Sequence, residues 1–249
     1  MSRRRRSRRN VADTVCRASS FSKPRMARFN EIGTATIPGN GTRLRLLQRN
    51  DEFSIKIAGA PGELMNSRLH GSEDALATLA CERLSHLPAP RILIGGLGMG
   101  FTLAAALSAT GDQAQVTVAE LVPEVETWNR GPLGAAAGYP LDDPRAAVHI
   151  GDVAELLRQG DGNWDAILLD VDNGPEGLTR KENNWIYSPE GIAAAQKSLS
   201  NDGILAYWSA GPEQAFTERL RRAGFSVEPV VVRALRPGKG ARHTIWLAW

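Results

Sequence analysis

Long apolar runs are missing from this sequence. No stretch approaches the eighteen or more consecutive apolar residues of a membrane helix, and the charged N-terminus is not followed by the apolar segment of a secretion signal. Cysteine is scarce: Cys16 and Cys81 cannot build a disulfide framework, and neither has the spacing of a zinc ligand, which fits a reducing, cytoplasmic compartment. The four histidines, His70, His86, His149 and His243, stand singly, so no metal site is expected. A strong charge excess is also missing once charge is divided by position. Residues 1–25 hold eight Arg, one Lys and one Asp, a charge of +8, which against a total of +3 leaves −5 for the remainder. That mildly acidic remainder argues against a nucleic-acid partner.

What is present is enough for one large α/β domain with a small appendage: 249 residues, 42% of them hydrophobic. Residues 1–25 are Arg- and Ser-rich with too few large apolar side chains to fold alone, and are expected to be a disordered tail. They read as residues upstream of a true start at Met26, as a solvated tail, or as a basic arm. Residues 26–70 are expected to form a small antiparallel sheet. Leu44 and Leu46 alternate with Arg43 and Arg45, Asn50-Asp51 turns the chain, and Phe53, Ile55 and Ile57 alternate with Ser54 and Lys56.

The third unit, 71–249, is organised around Arg91-Ile92-Leu93-Ile94-Gly95-Gly96-Leu97-Gly98-Met99-Gly100 and the Ala/Leu-rich segment after it. This is a strand, a glycine turn where backbone can approach a ligand, and a helix, the order used by nucleotide-binding α/β folds. Twenty residues on, Val116 to Ala119 forms a second apolar run ending in Glu120, a carboxylate placed to accept both hydroxyls of a ribose.

Further strands are expected at 146–150, ending in Gly151-Asp152; at 164–169, ending in Asp170; and at 204–208, 227–232 and 243–249. Helices are expected at 73–84, from Pro123 towards Trp128, at 154–157, 192–199 and 213–223. Alternation of strand and helix predicts a doubly wound, seven-stranded, mainly parallel sheet, and the last two strands, with no helix between them, predict an antiparallel hairpin at one edge. Such an edge hairpin marks the class I methyltransferase sheet, a Rossmann-like fold.

From about Ala35 onward the chain resembles the spermidine synthase family of aminopropyltransferases. The resemblance rests on the Gly95 to Gly100 loop, Ala119-Glu120-Leu121, His149-Ile150-Gly151-Asp152 and Asp170-Val171-Asp172-Asn173-Gly174-Pro175, in that order. It implies that Gly95, Gly96, Gly98 and Gly100 cradle the donor, that Glu120 holds the ribose hydroxyls and Asp152 the adenine amino group, and that Asp170 is the catalytic base. The implied donor is S-adenosylmethionine or its decarboxylated form; the implied acceptor is a small-molecule amine or another nucleophile; the family tends to form homodimers. Ionised carboxylates are pure acceptors and suit hydroxyl and amino donors, although each of these acids could instead cap the helix that follows its strand.

The chain departs from the family in three places. Gly98 stands where the family loop carries an acid that meets the donor's amino end. The second acid of the family's Asp-Ser-Ser-Asp signature is displaced, leaving Asp172 and Asn173 to shape the acceptor pocket. The Tyr-Gln pair before the first core helix is absent, for the stretch reads Gly71-Ser72-Glu73-Asp74-Ala75. The long segment 175–189 reads as a lid whose Trp185 and Tyr187 either touch substrate or pin the loop to the sheet. The resulting expectation is a spermidine synthase-like transferase with its nucleoside half kept and its acceptor half rebuilt. A methyltransferase and a catalytically silent nucleoside-binding protein are the alternatives, with a dinucleotide-dependent oxidoreductase as a third that the terminal strand pair disfavours.

Overall fold

A computed structural model of the chain describes residues 28–39, 41–171, 184–235 and 239–249. The tail 1–25, Asp172 and Asn173 lie outside the described residues.

The first sheet is antiparallel, in the order β1 (Asn30–Thr36), β2 (Arg43–Arg49), β3 (Glu52–Ile57), β4 (Met65–Asn66). Its alternation is physical: Leu44 and Leu46 are buried while Arg43 and Arg45 face solvent. Asn50 makes the β2–β3 turn at φ 56°, a left-handed conformation that asparagine tolerates.

The second sheet follows. The chain runs α1 (Gly71–Glu82), β5 (Arg91–Gly95), α2 (Phe101–Ala109), β6 (Gln115–Glu120), α3 (Pro123–Arg130), β7 (Ala146–Ile150), α4 (Val153–Gln159) and β8 (Trp164–Leu169). It continues through α5 (Asn184–Tyr187), α6 (Pro189–Ser198), β9 (Leu199–Ser209), α7 (Gln214–Arg222), β10 (Val227–Leu235) and β11 (Lys239–Ala248). Strand order is β10-β11-β9-β8-β5-β6-β7. All pairs from β9 to β7 are parallel, and β11 runs antiparallel to both β9 and β10. This is the α/β fold expected from the sequence, edge hairpin included.

Boundaries moved where tertiary contacts intervene. Helix α6 ends at Ser198, whose hydroxyl donates to the Leu157 carbonyl at 2.8 Å, so β9 begins five residues before the expected Ile204. Helix α1 begins at Gly71 rather than Glu73. Its first turn packs so tightly on the β10 backbone that a Cβ on Gly71 would lie 2.9 Å from the Arg233 carbonyl oxygen. That tight approach brings Ser72 and Glu73 into the first turn of the helix.

Alternation along the central strands divides the core. Leu93, Ile167, Leu169, Leu205, Tyr207 and Trp246 belong to one cluster. Ile92, Ile94, Leu168, Ala206 and Leu247 belong to the other, which also takes in Leu46 and Ile55 of the small sheet. Both faces of the parallel strands are therefore covered, as their near-continuous apolar sequence requires. The chain proceeds outward from β5 through β6 to β7 and then returns to β8 on the other side of β5. The sheet thus has its topological switch point between the C-terminal ends of β5 and β8, where open α/β sheets leave a crevice for ligands. Among the described residues no helix is long and apolar enough to cross a membrane.

Candidate active site

The crevice at the switch point is a cavity of about 480 Å³. Gly96, Gly98, Glu120, Asp152 and Asp170 all line it, and so do Glu73, Trp208 and His243.

The glycine loop turns by left-handed backbone at Gly96, Gly98 and Gly100, with φ of 90°, 53° and 83°. At Gly96 the reason is contact as well as dihedral: a Cβ there would lie 2.3 Å from the Asp170 carbonyl oxygen. Gly95, the last residue of β5, accepts from the Asp170 amide at 2.9 Å, which ties the loop to the end of β8. Gly100 caps α2.

Glu120 ends β6 almost fully buried. Its Oε2 accepts from the Leu97 amide at 3.0 Å and its Oε1 from the Val122 amide at 2.8 Å. Burial raises its pKa, against the pull of these backbone N–H groups. The Gly98 and Leu121 amides draw on it as well, so the carboxylate braces the loop, and as an acceptor-only group when ionised it also suits hydroxyl donors. Asp152 is the N-cap of α4, with Oδ1 accepting from the Ala154 amide at 2.9 Å. That structural role occupies one oxygen and leaves the other.

Asp170 accepts a hydrogen bond from Thr102 Oγ1 at 2.9 Å. Desolvation raises its pKa to about 6 against that bond. Glu73 in the first turn of α1 is raised to about 7, first by burial and then by the negative charge of Asp170. Two like charges in a partly dry cleft resist ionising together, so the pair titrates as a unit.

Trp185 and Tyr187 are not among the cavity's lining residues, and of the two expected alternatives their surroundings match packing against the body of the protein. Tyr187 is 2% exposed, its ring 5.6 Å from that of Tyr207 and 5.5 Å from that of Phe216, in the core cluster of the Tyr207 face. Trp185 lies 4.3 Å beneath the Arg158 guanidinium. Apolar burial thus draws both rings into packing, and Ile186 between them is the residue that reaches the cavity. Residues 175–183 of the expected lid are outside the described residues.

Glu73 was not foreseen as a site residue, nor was Asn129. Asn129 is buried on α3 and donates from Nδ2 to the Gly98 carbonyl at 2.9 Å and to the Val125 carbonyl at 2.9 Å, holding the glycine loop from behind. Neither has a periodic or motif signal; only the departure at Gly71 to Ala75 marked the Glu73 stretch. Among the described residues no group of three or more His, Cys, Asp or Glu could hold a metal ion.

Comparison with solved structures identifies the same fold in several spermidine synthases. One, in complex with the transition state analogue AdoDATO, superposes with a TM-score of 0.67 at 19% identity, covering 89% of this chain and 73% of that one. Spermidine synthase from Thermotoga maritima gives 0.69 at 18% identity, with 89% and 73% covered. A probable spermidine synthase from Corynebacterium glutamicum gives 0.60 at 15% identity, with 90% and 80% covered. No protein-family model and no curated protein sequence matches the chain. The shared property is the spermidine synthase-like, class I methyltransferase fold.

Proposed function

We propose that this protein is a cytoplasmic, spermidine synthase-like transferase that takes an aminopropyl group from an adenosyl sulfonium donor and passes it to a small-molecule amine, acting as a homodimer. The observation that carries the reading is that one cavity, at the switch point, is lined at once by Glu120, Asp152 and Asp170. Two of these acids suit the hydroxyl and amino donors of a nucleoside, and the third suits an acceptor nitrogen. The nucleophile forms a bond to the sulfonium-bound carbon, the carbon–sulfur bond breaks, and its electron pair leaves on a neutral thioether. Since the leaving group comes with the donor, the protein's task is alignment and removal of the acceptor's proton. Gly95, Gly96, Gly98 and Gly100 let the backbone approach the donor, Asp170 takes or orients the proton, and Asp172 and Asn173 shape the acceptor pocket.

Calorimetry with 5′-methylthioadenosine tests the nucleoside half. Glu120→Gln keeps the size but removes the charge, and it also turns an amide N–H₂ towards the Leu97 or Val122 amide. Binding is expected to weaken by about 1–3 kcal/mol. Equal affinity in the two proteins would remove Glu120 from the site.

One observation favours methyl transfer as a second reading. At Gly98 there is no side chain to repel the carboxylate that S-adenosylmethionine has and its decarboxylated form lacks. S-adenosylmethionine is therefore expected to bind at least as tightly as the decarboxylated donor, and Gly98→Asp to shift preference towards the latter. The substitution is sterically feasible: a Cβ at Gly98 meets the flexible Met65 Sδ at 3.1 Å, at a φ that aspartate tolerates. Side-by-side titrations decide, and a wild-type preference of about tenfold or more for the decarboxylated donor, some 1.4 kcal/mol, would overturn this second reading.

A further inference from the structure

Glu73 belongs to the cavity, yet no feature of the nucleoside half uses it. Its Oε2 accepts from Ser72 Oγ at 2.6 Å. With Glu73 ionised, the one hydroxyl hydrogen of Ser72 goes to the carboxylate, so Ser72 accepts in its 2.7 Å contact with His243 Nδ1. The imidazole therefore carries its hydrogen on Nδ1. Burial lowers the pKa of His243, which favours the neutral ring, and the ring stands edge-on to Trp208 at 4.7 Å. The chain of contacts from β11 through α1 thus fixes one oxygen of Glu73 with neutral groups only. Asp170 is held in the same manner, by the Thr102 hydroxyl. Among the described residues Ser72 and Thr102 supply the side-chain hydrogen bonds to the two acids, Glu73 is further drawn by its own backbone amide, and neither acid stands in an ion pair.

The charged and titratable groups around the pair are few. His70, just before α1, is paired with Asp74 at 2.9 Å. From β10, Arg233 turns its guanidinium to the Gly240 carbonyl at 3.0 Å. His243 of β11 and the two acids themselves follow, and among the described residues Glu63, Glu120 and Asp152 line the same cavity, all of them acids. Among the described residues no cation is paired with either carboxylate, and two such carboxylates are matched by an ammonium ion, which has three N–H donors.

We propose that Glu73 is the second catalytic carboxylate of the acceptor site: together with Asp170 it binds the acceptor's ammonium nitrogen, and it takes the proton that the nitrogen must lose before attack. This rests on the transferase reading above. The ammonium N–H proton passes to Glu73, leaving a neutral amine; the amine lone pair forms the new nitrogen–carbon bond as the carbon–sulfur bond breaks. Ser72 and His243 are positioning residues that keep one Glu73 oxygen occupied and the other turned to the acceptor.

The test uses the full chain. Carboxyl carbon NMR of the ligand-free protein is expected to show Glu73 titrating well above the ordinary glutamate range, and to show its midpoint fall in Asp170→Asn, which removes the repelling charge. Butylamine, titrated with and without 5′-methylthioadenosine, is expected to bind at least tenfold more weakly to Glu73→Gln than to wild type. The affinity of that variant for 5′-methylthioadenosine should not change, and butanol, which has no charge, should not tell the two proteins apart. A wild-type Glu73 midpoint in the ordinary range, or equal butylamine binding by both proteins, would overturn the proposal. Should Glu73→Gln not fold, Ser72→Ala decides: loss of the hydroxyl bond must raise the Glu73 midpoint, and an unmoved midpoint counts against it. Failure of wild type to bind 5′-methylthioadenosine would instead defeat the transferase reading, while the nucleoside-free arms still decide Glu73.

Discussion

Asp170→Asn is expected to lower turnover by about a hundred- to ten-thousand-fold, the usual worth of a carboxylate positioned where a proton is transferred, and at the same time to make the ligand-free protein more stable above pH 7. The two effects have one cause. Burial holds the Asp170 carboxyl up at about 6, against 3.8 in its unperturbed form. A group raised in the folded state contributes its full stability below the unfolded value, and loses it as pH climbs through the folded one. At pH 8 wild type therefore carries an ionised carboxylate that the fold disfavours and that repels Glu73. Asparagine copies the neutral form, and its side-chain oxygen can still accept from Thr102 Oγ1. The gain should be about 1–3 kcal/mol at pH 8 and should vanish near pH 4. Denaturant unfolding at both values, alongside single-turnover rates, reads both effects. A variant that is slower but no more stable at pH 8 would mean that Asp170 is not held against its charge, and one with wild-type turnover would remove it from the chemistry.

Gly96→Ala is expected to destabilise the protein by about 3 kcal/mol or more, a fall in Tm of roughly 6–12 °C for a chain of this size, and to abolish donor binding. The new Cβ would lie 2.3 Å from the Asp170 carbonyl oxygen and 3.1 Å from its carbonyl carbon, both backbone atoms, at a φ of 90°. Neither neighbour can swing aside as a side chain can. Relief requires β5 and β8 to separate at the switch point, where the loop and the acid are both anchored. Gly59→Ala separates strain from collision, since Gly59 has φ 81° with nothing within 4 Å of its would-be Cβ. It should cost only about 1–2 kcal/mol, the left-handed penalty alone. Thermal melts of the two variants that fell together would show that conformation, and not the contact with Asp170, is what Gly96 provides.

Much of the cavity's lining could be read from the chain because open α/β sheets put their ligand groups at strand ends, and strand ends are visible as places where an apolar run stops. Glu120, Asp152 and Asp170 each follow such a run, and each lines the cavity. The glycine loop was visible for a related reason: three of its residues need φ values that other side chains rarely adopt. For Trp185 and Tyr187 the sequence left two alternatives open. An aromatic pair in a long loop carries the same pattern whether it faces a ligand or a core. Tyr187 met Tyr207 and Phe216, and Trp185 met Arg158.

The sequence by itself determined the order and kind of the strands, the edge hairpin and the register of apolar alternation, because these depend on local periodicity and on residues with unusual backbone freedom. Only the tertiary structure decided what stands opposite Asp170. Glu73, Ser72 and His243 are brought together by helix α1 seating its glycine on the carbonyls of β10, a contact between segments more than 160 residues apart in the chain. Whether a half-buried glutamate sits beside another acid is a matter of distance through space, and no spacing along the chain records it.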